Sequence, residues 1–147
     1  MDALVATLEV LRMDEDVAEL CRITLPGEEG FRIFGQEIPL KTSEGVIPPT
    51  VCVRHGEGQG DFGGYVPLEK LGFIVACTAE SAARADELRR AVANCLKNYR
   101  RHVIQNVLIH SYSQVGSPRY TRDPDTEWPY ALTTWKCVAS EVDAQMP

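Results

Sequence analysis

Val107-Leu-Ile-His-Ser-Tyr-Ser-Gln-Val115, Gly116-Ser-Pro-Arg-Tyr-Thr-Arg-Asp-Pro-Asp-Thr-Glu-Trp-Pro129 and Leu132-Thr-Thr-Trp-Lys-Cys-Val-Ala139 make up most of the last third of the chain. The outer two segments carry β-branched and aromatic residues in near alternation, which predicts two strands. Tight hairpins need only ~2–5 loop residues. The connection from Gly116 to Pro129 is longer, is stiffened by Pro118, Pro124 and Pro129, and carries Tyr120 and Trp128. Long ordered connections of this kind are usually functional, and aromatic plus arginine content favours a contact surface. No residue type in it is arranged for chemistry.

Working outward, Leu4, Leu8 and Leu11 recur at helical spacing and predict an N-terminal helix. Asp14 is placed to cap a second short helix, because its carboxylate accepts from orphan N–H groups. That helix would turn Val17, Leu20 and Cys21 inward. Pro26, Gly27 and Gly30 read as breakers before a short strand, Phe31-Arg-Ile-Phe34. From Gly35 to Pro49 the chain reads as loop, and Thr50-Val-Cys-Val-Arg-His55 as strand. Gly56-Glu-Gly-Gln-Gly-Asp-Phe-Gly-Gly64 is the most flexible stretch. Leu71, Phe73, Val75 and Cys77 share one face of the next strand. Ile74 and Ala76 make its other face apolar, which predicts a central strand covered on both sides. Thr78 then reads as the cap of a helix over about Ala79–Asn98, with Ala85, Leu88, Val92, Cys95 and Leu96 as its buried stripe. Helices, strands, a helix and two final strands predict an α+β domain, one sheet with helices packed on a face, spanning residues 1–147 with a frayed tail from about 140.

Composition bounds the function. Hydrophobic residues are 44% and charged residues 24%, an ordinary globular balance that excludes wholesale disorder. A formal net charge of -6 disfavours a dedicated nucleic-acid binder, which needs a basic footprint. The five cysteines, Cys21, Cys52, Cys77, Cys95 and Cys137, form no close pairs. With no basic leader ahead of an apolar core, they read as reduced core residues of a cytoplasmic product. No apolar run approaches the ~20 residues of a membrane span.

The chemical motifs are weak. Gly58-Gln-Gly-Asp-Phe-Gly63 matches a dinucleotide-binding string, but the motif requires a helix to begin at its third glycine, whereas here Pro67 and a strand pattern follow. Cys52 and His55 would point to opposite faces of a strand, which defeats a nucleophile–base pair. They also lack the second Cys/His pair of a zinc site. Isolated His102 and His110 read as satisfied or surface side chains. Asp14, Glu15 and Asp16 read as capping, whereas Asp123, Asp125 and Glu127 read as turn formers or a cation site without the calcium-loop order. Arg100, Arg101, Arg119 and Arg122 read as solvated charge, or as contacts to an acidic protein or DNA backbone. No catalytic, metal or cofactor residue is assigned.

Several of these segments together resemble the tail-terminator (tail-completion) proteins of long-tailed bacteriophages, prophages and gene transfer agents. The resemblance runs from the Leu4–Leu11 helix and Asp16-Val-Ala-Glu-Leu20 through Arg32-Ile-Phe34, Ile38-Pro39 and Pro48-Pro-Thr-Val-Cys-Val-Arg-His55. It continues through Leu71–Lys97 and the Gly116–Pro129 segment before the final strand. It implies a mixed, mostly antiparallel sheet flanked by α-helices and no catalytic residues. It further implies a structural virion protein made in the host cytoplasm, forming a ring, typically a hexamer, that caps the tail tube and meets the head connector. Expected partners are copies of itself, the tail tube protein and the connector protein, with DNA only passing through the lumen. An acidic lumen would let the genome slide.

A closed ring needs one patch to meet a different patch on its neighbour. Gly58, Gly60 and Phe62 in the glycine-rich tip are the candidate adaptable contacts. Arg119, Tyr120, Arg122, Asp123 and Trp128 are the candidate anchors. Competing readings are another neck or tail-assembly ring, a small intracellular adaptor, or a cysteine-dependent enzyme.

Overall fold

A computed structural model describes residues 3–25, 28–35, 49–56, 60–61, 69–100, 102–104, 106–122 and 128–141. Its first elements are helices α1 (Ala3–Met13) and α2 (Glu15–Leu20). Asp14 caps α2, its Oδ1 accepting from the N–H groups of Asp16 and Val17 at 3.0 Å each. Leu4, Leu8, Leu11 and Val17 are buried.

Strands β1 (Arg22–Leu25) and β2 (Glu28–Phe31) form a separate antiparallel pair, followed by β3 (Ile33–Gly35). The single strand expected over 31–34 is therefore split, and Gly30 pairs with Ile23 instead of breaking the chain. Arg32 is the joint. Its N–H donates to the Cys21 carbonyl and its own carbonyl accepts from Val51, both at 2.9 Å, so its backbone bridges the small pair and the main sheet. Its side chain is buried, donating from Nε to Thr50 Oγ1 at 2.7 Å.

The main sheet adds β4 (Thr50–His55), β5 (Gly60–Asp61), β6 (Glu69–Thr78), β7 (His102–Ile104), β8 (Val107–Arg122) and β9 (Pro129–Glu141). Its order is β3-β4-β6-β9-β8-β7, with β5 also paired to β6. Only β3 and β4 run parallel, so the sheet is mixed and mostly antiparallel, as expected. Helix α3 (Ala82–Asn98) crosses from β6 to β7 and packs on β6, β8 and β9. The fold class is α+β.

Trp135 lies at the centre of the core, fully buried with Phe73, Leu11, Leu88 and Leu96. Its Nε1 donates to Thr133 Oγ1 at 2.8 Å. Thr7 Oγ1 donates to the Ala3 carbonyl at 2.7 Å, which commits its proton. The buried Tyr112 hydroxyl, 2.8 Å away, is therefore the donor to Thr7. That bond ties the helical layer to β8.

The expected cap of the third helix needs correcting. The helix cap is Ser81, whose Oγ accepts from Arg84 N at 3.2 Å, and not Thr78. Thr78 is held in β6 by pairing with Thr50 and Tyr130, and its hydroxyl donates to the Pro129 carbonyl. β6 is central, and although the three described helices pack on its Phe73, Val75 and Cys77 face, its other face is also covered, with Ala76 buried and Ile74 half-buried. β9 continues to Glu141, and Ser140 lies within hydrogen-bond reach of His110 Nε2 (3.3 Å); the tail expected from about 140 falls outside the described residues beyond that point. The expected loop over 35–49 falls largely outside the described residues.

Candidate functional site

The segment expected to be a long loop is mostly strand. β8 runs unbroken to Arg122 and β9 starts at Pro129, leaving a short connection of which only Trp128 is described. Gly116 and Pro118 do not end the strand because a bulge absorbs them. The register jumps from Val115↔Thr134 to Arg119↔Leu132, so β8 carries extra residues there. Gly116 takes φ 72°, a left-handed conformation that costs glycine little. Pro118 lacks an N–H, and a bulge is where a strand can tolerate that loss. β7 pairs with β8 only as far as Ile109. Beyond it, among the described residues, β8 runs on along β9 as an arm whose outer edge is open, while β9 stays paired to β6 as far as Tyr130.

Alternation splits the candidate anchors between the two faces of this arm. Tyr120 pairs with Ala131 and turns toward α3, where its hydroxyl donates to Asp86 Oδ1 at 2.6 Å. Arg122, opposite Pro129, lines the same side. Arg119, opposite Leu132, turns away from the helices. Tyr120 is nonetheless 58% exposed, so its ring lies open beside the arm. Trp128 is half-buried. Gly60 is paired with Lys70 in β5 instead of forming a free tip. Gly58, Phe62 and Asp123 lie outside the described residues, as do Arg101, Asp125 and Glu127. The third acidic cluster member in the other group, Asp16, is exposed beside the Asp14 cap.

Asp86 is the hub that fastens the arm. Besides Tyr120 it accepts from Arg89 Nε at 2.8 Å and pairs with Arg90 Nη2 at 2.6 Å. The hydrogen bond from Tyr120, followed by that from Arg89, holds its carboxyl down to about 2. A groove of about 340 Å³, lined by Ala82, Ala85, Tyr120, Arg122, Pro129 and Tyr130, separates the arm from the start of α3. Arg90 is a local i,i+4 partner of Asp86, whereas Tyr120 lies 34 residues away.

The cysteines are not activated. Burial pushes Cys21, Cys95 and Cys137 up to about 12, and raises Cys52 and Cys77 as well. A nucleophilic thiol needs the reverse shift. Cys52 is buried whereas His55 is exposed and leans on Phe73, with ring centroids 6.0 Å apart. Their pairing partners on β6, Ala76 and Phe73, confirm opposite faces. Among the described residues no group of three His, Cys, Asp or Glu side chains is placed to hold a metal, and no helix is long and apolar enough to cross a membrane.

No family model matches the chain, and no curated protein matches it. Among solved structures it is similar to a chain of one described as "Virion of native gene transfer agent (GTA) particle". The TM-score is 0.65 at 14% identity, covering 95% of this chain and 99% of that chain. The two chains share a fold. Near-complete coverage on both sides means that the likeness takes in helical layer and sheet together, and not one common supersecondary unit.

Proposed function

We propose that this chain is a structural virion protein that closes into a ring, six-fold by the family resemblance, at the end of a tail tube. There it would join the tube to the head connector, with the genome passing through. The observation that carries this reading is the shared fold with a gene transfer agent virion chain over 95% of the residues. The resemblance of the sequence to tail terminators points the same way, as do the unactivated thiols. The ring partners are copies of itself, the tube protein and the connector protein.

In this reading the β8–β9 arm is a contact element held at a set angle by the Tyr120–Asp86 bond. Tyr120, Arg122 and Trp128 supply aromatic and guanidinium contacts of the kind enriched at interface hot spots. Arg119 and Asp123, with Gly58, Gly60 and Phe62 of the glycine-rich stretch, complete the candidate surface. Electron microscopy of particles made without this chain tests the assignment. The expected result is heads and tail tubes that fail to join, with the tubes lacking a defined upper end. Joined, infectious particles of normal length would overturn it.

A further inference from the structure

The sheet keeps one face clear of the three described helices, and that face is organised. Arg54, Ile74, Thr134 and Val115 form one cross-strand row, and Cys52, Ala76, Leu132 and Arg119 form the next. Lys136, paired with Gly72 and Ser113, lies one row further on. These residues alternate with Val53, Phe73, Val75, Trp135 and Cys137, which are buried on the helical side. Cys52 and Ala76 are buried, Ile74 and Leu132 are half-buried and Val115 is 41% exposed, so the apolar centre is accessible where β6, β9 and β8 adjoin. Arg54 on one side, Arg119 on the other and Lys136 beyond form a cationic rim. Among the described residues, no carboxylate lies in these three rows. On a chain of net charge -6 these three rows carry the opposite sign to the whole.

Its complement is on the helical layer of the same chain. Met13, at the end of α1, is 68% exposed. It is followed by Asp14, Glu15 and Asp16, and among the described residues neither Glu15 nor Asp16, both exposed, has an ion-pair partner. The corner thus offers an apolar side chain flanked by acids, whereas the sheet offers an apolar centre flanked by cations.

We propose that the accessible part of this face, along β6, β9 and β8, seats a second copy of this chain, whose Met13 enters among Ile74, Leu132 and Val115 while Glu15 and Asp16 face Arg54, Lys136 and Arg119. An apolar centre within a charged rim is the usual anatomy of a protein interface. A phosphate backbone would need the cations but not the apolar centre, which is why a protein partner is favoured over DNA. The two patches differ and sit on opposite layers, so the contact is heterologous and propagates around a ring instead of ending at a two-fold dimer. The rim charges steer approach and fix orientation. This inference rests on the ring reading above and supplies it with a specific subunit contact.

The test uses two full-length variants, each measured by mass in solution with and without tail tubes. One reverses the sheet (Arg54→Glu with Lys136→Glu) and the other reverses the corner (Glu15→Lys with Asp16→Lys). All four positions are at least partly exposed, so both variants should fold and melt near the parent. Each alone should lose self-association by about tenfold or more, since like charges then meet across the rim. Mixed in equal amounts they should assemble, because each reversed patch meets an opposite charge on the other variant. Assembly of the sheet variant like the parent would overturn this contact and leave the ring reading standing. Loss without rescue on mixing, or salt-sensitive binding of duplex DNA lost with Arg54 and Lys136, would overturn it in favour of a different partner. A parent chain that stays monomeric even with tail tubes would remove both.

Discussion

The two halves of the β8–β9 hairpin share a ladder but follow different rules. Near the helices, Val107, Ile109 and Tyr112 are buried, the last two opposite Ala139 and Cys137, and one slip of register would expose them all. Beyond Val115 the same strand bulges, carries a glycine and a proline, and leaves residues 115–117 and 119–122 exposed. On β8 the first half is held by burial, and the second by ladder hydrogen bonds to β9 and one side-chain tie to α3, while β9 itself stays buried at Ala131 and Thr133 and paired to β6. Stability should therefore be concentrated in the buried half and assembly function in the exposed one. A separation of this kind suits the proposed ring role, in which contact surfaces must stay uncovered until a neighbour arrives.

Leu88→Ala should break the buried side most severely. Leu88 is fully buried under the sheet, and its truncation should cost about 2–5 kcal/mol, read as a lowered urea midpoint. Ser81→Ala removes the cap that starts α3 and should cost about 0.5–2 kcal/mol. Tyr120→Phe cuts the tie and should cost about 0.5–1.5 kcal/mol or less, since the site is open to water. Its sharper effect is on pH. Asp86 is held at about 2, below its ordinary 3.8, so its contribution is intact above about pH 4 and lost as pH falls toward 2. In Tyr120→Phe the Asp86 titration, followed by NMR, should move back toward the ordinary value. An unmoved titration would mean that the arm is not fastened there. Arg119→Ala should change stability by less than about 0.5 kcal/mol while weakening assembly. The reverse pattern would erase the contrast between the two halves.

The sequence made the buried half readable because burial imposes periodicity. The Leu4–Leu8–Leu11 stripe, the Asp14 cap and most of the α3 stripe are local signals that matched, and the strand over Thr50–His55 formed as read, although its burial does not alternate. The exposed half was misread for a physical reason. Gly116 and Pro118 are strand breakers in isolation, but twelve paired positions with β9 outweigh them and convert the break into a bulge. Thr78 was similarly claimed by the sheet before the helix could use it. The buried Arg32, the Tyr120–Asp86 tie and the cation-rimmed sheet face depend on register between distant strands. No window of neighbouring residues contains that information. Of the candidate contacts, Arg119, Tyr120 and Arg122 fell on one arm, although alternation turned Arg119 to the opposite face from the other two.

The central claim is that this chain exists to be surrounded by copies of itself and by a tail end, and native mass measurement tests it most directly. With tail tubes present, the account predicts a single closed species at an integer multiple of the 16.3 kDa chain, six by the family resemblance. A monomer at every concentration, with or without tubes, would contradict it.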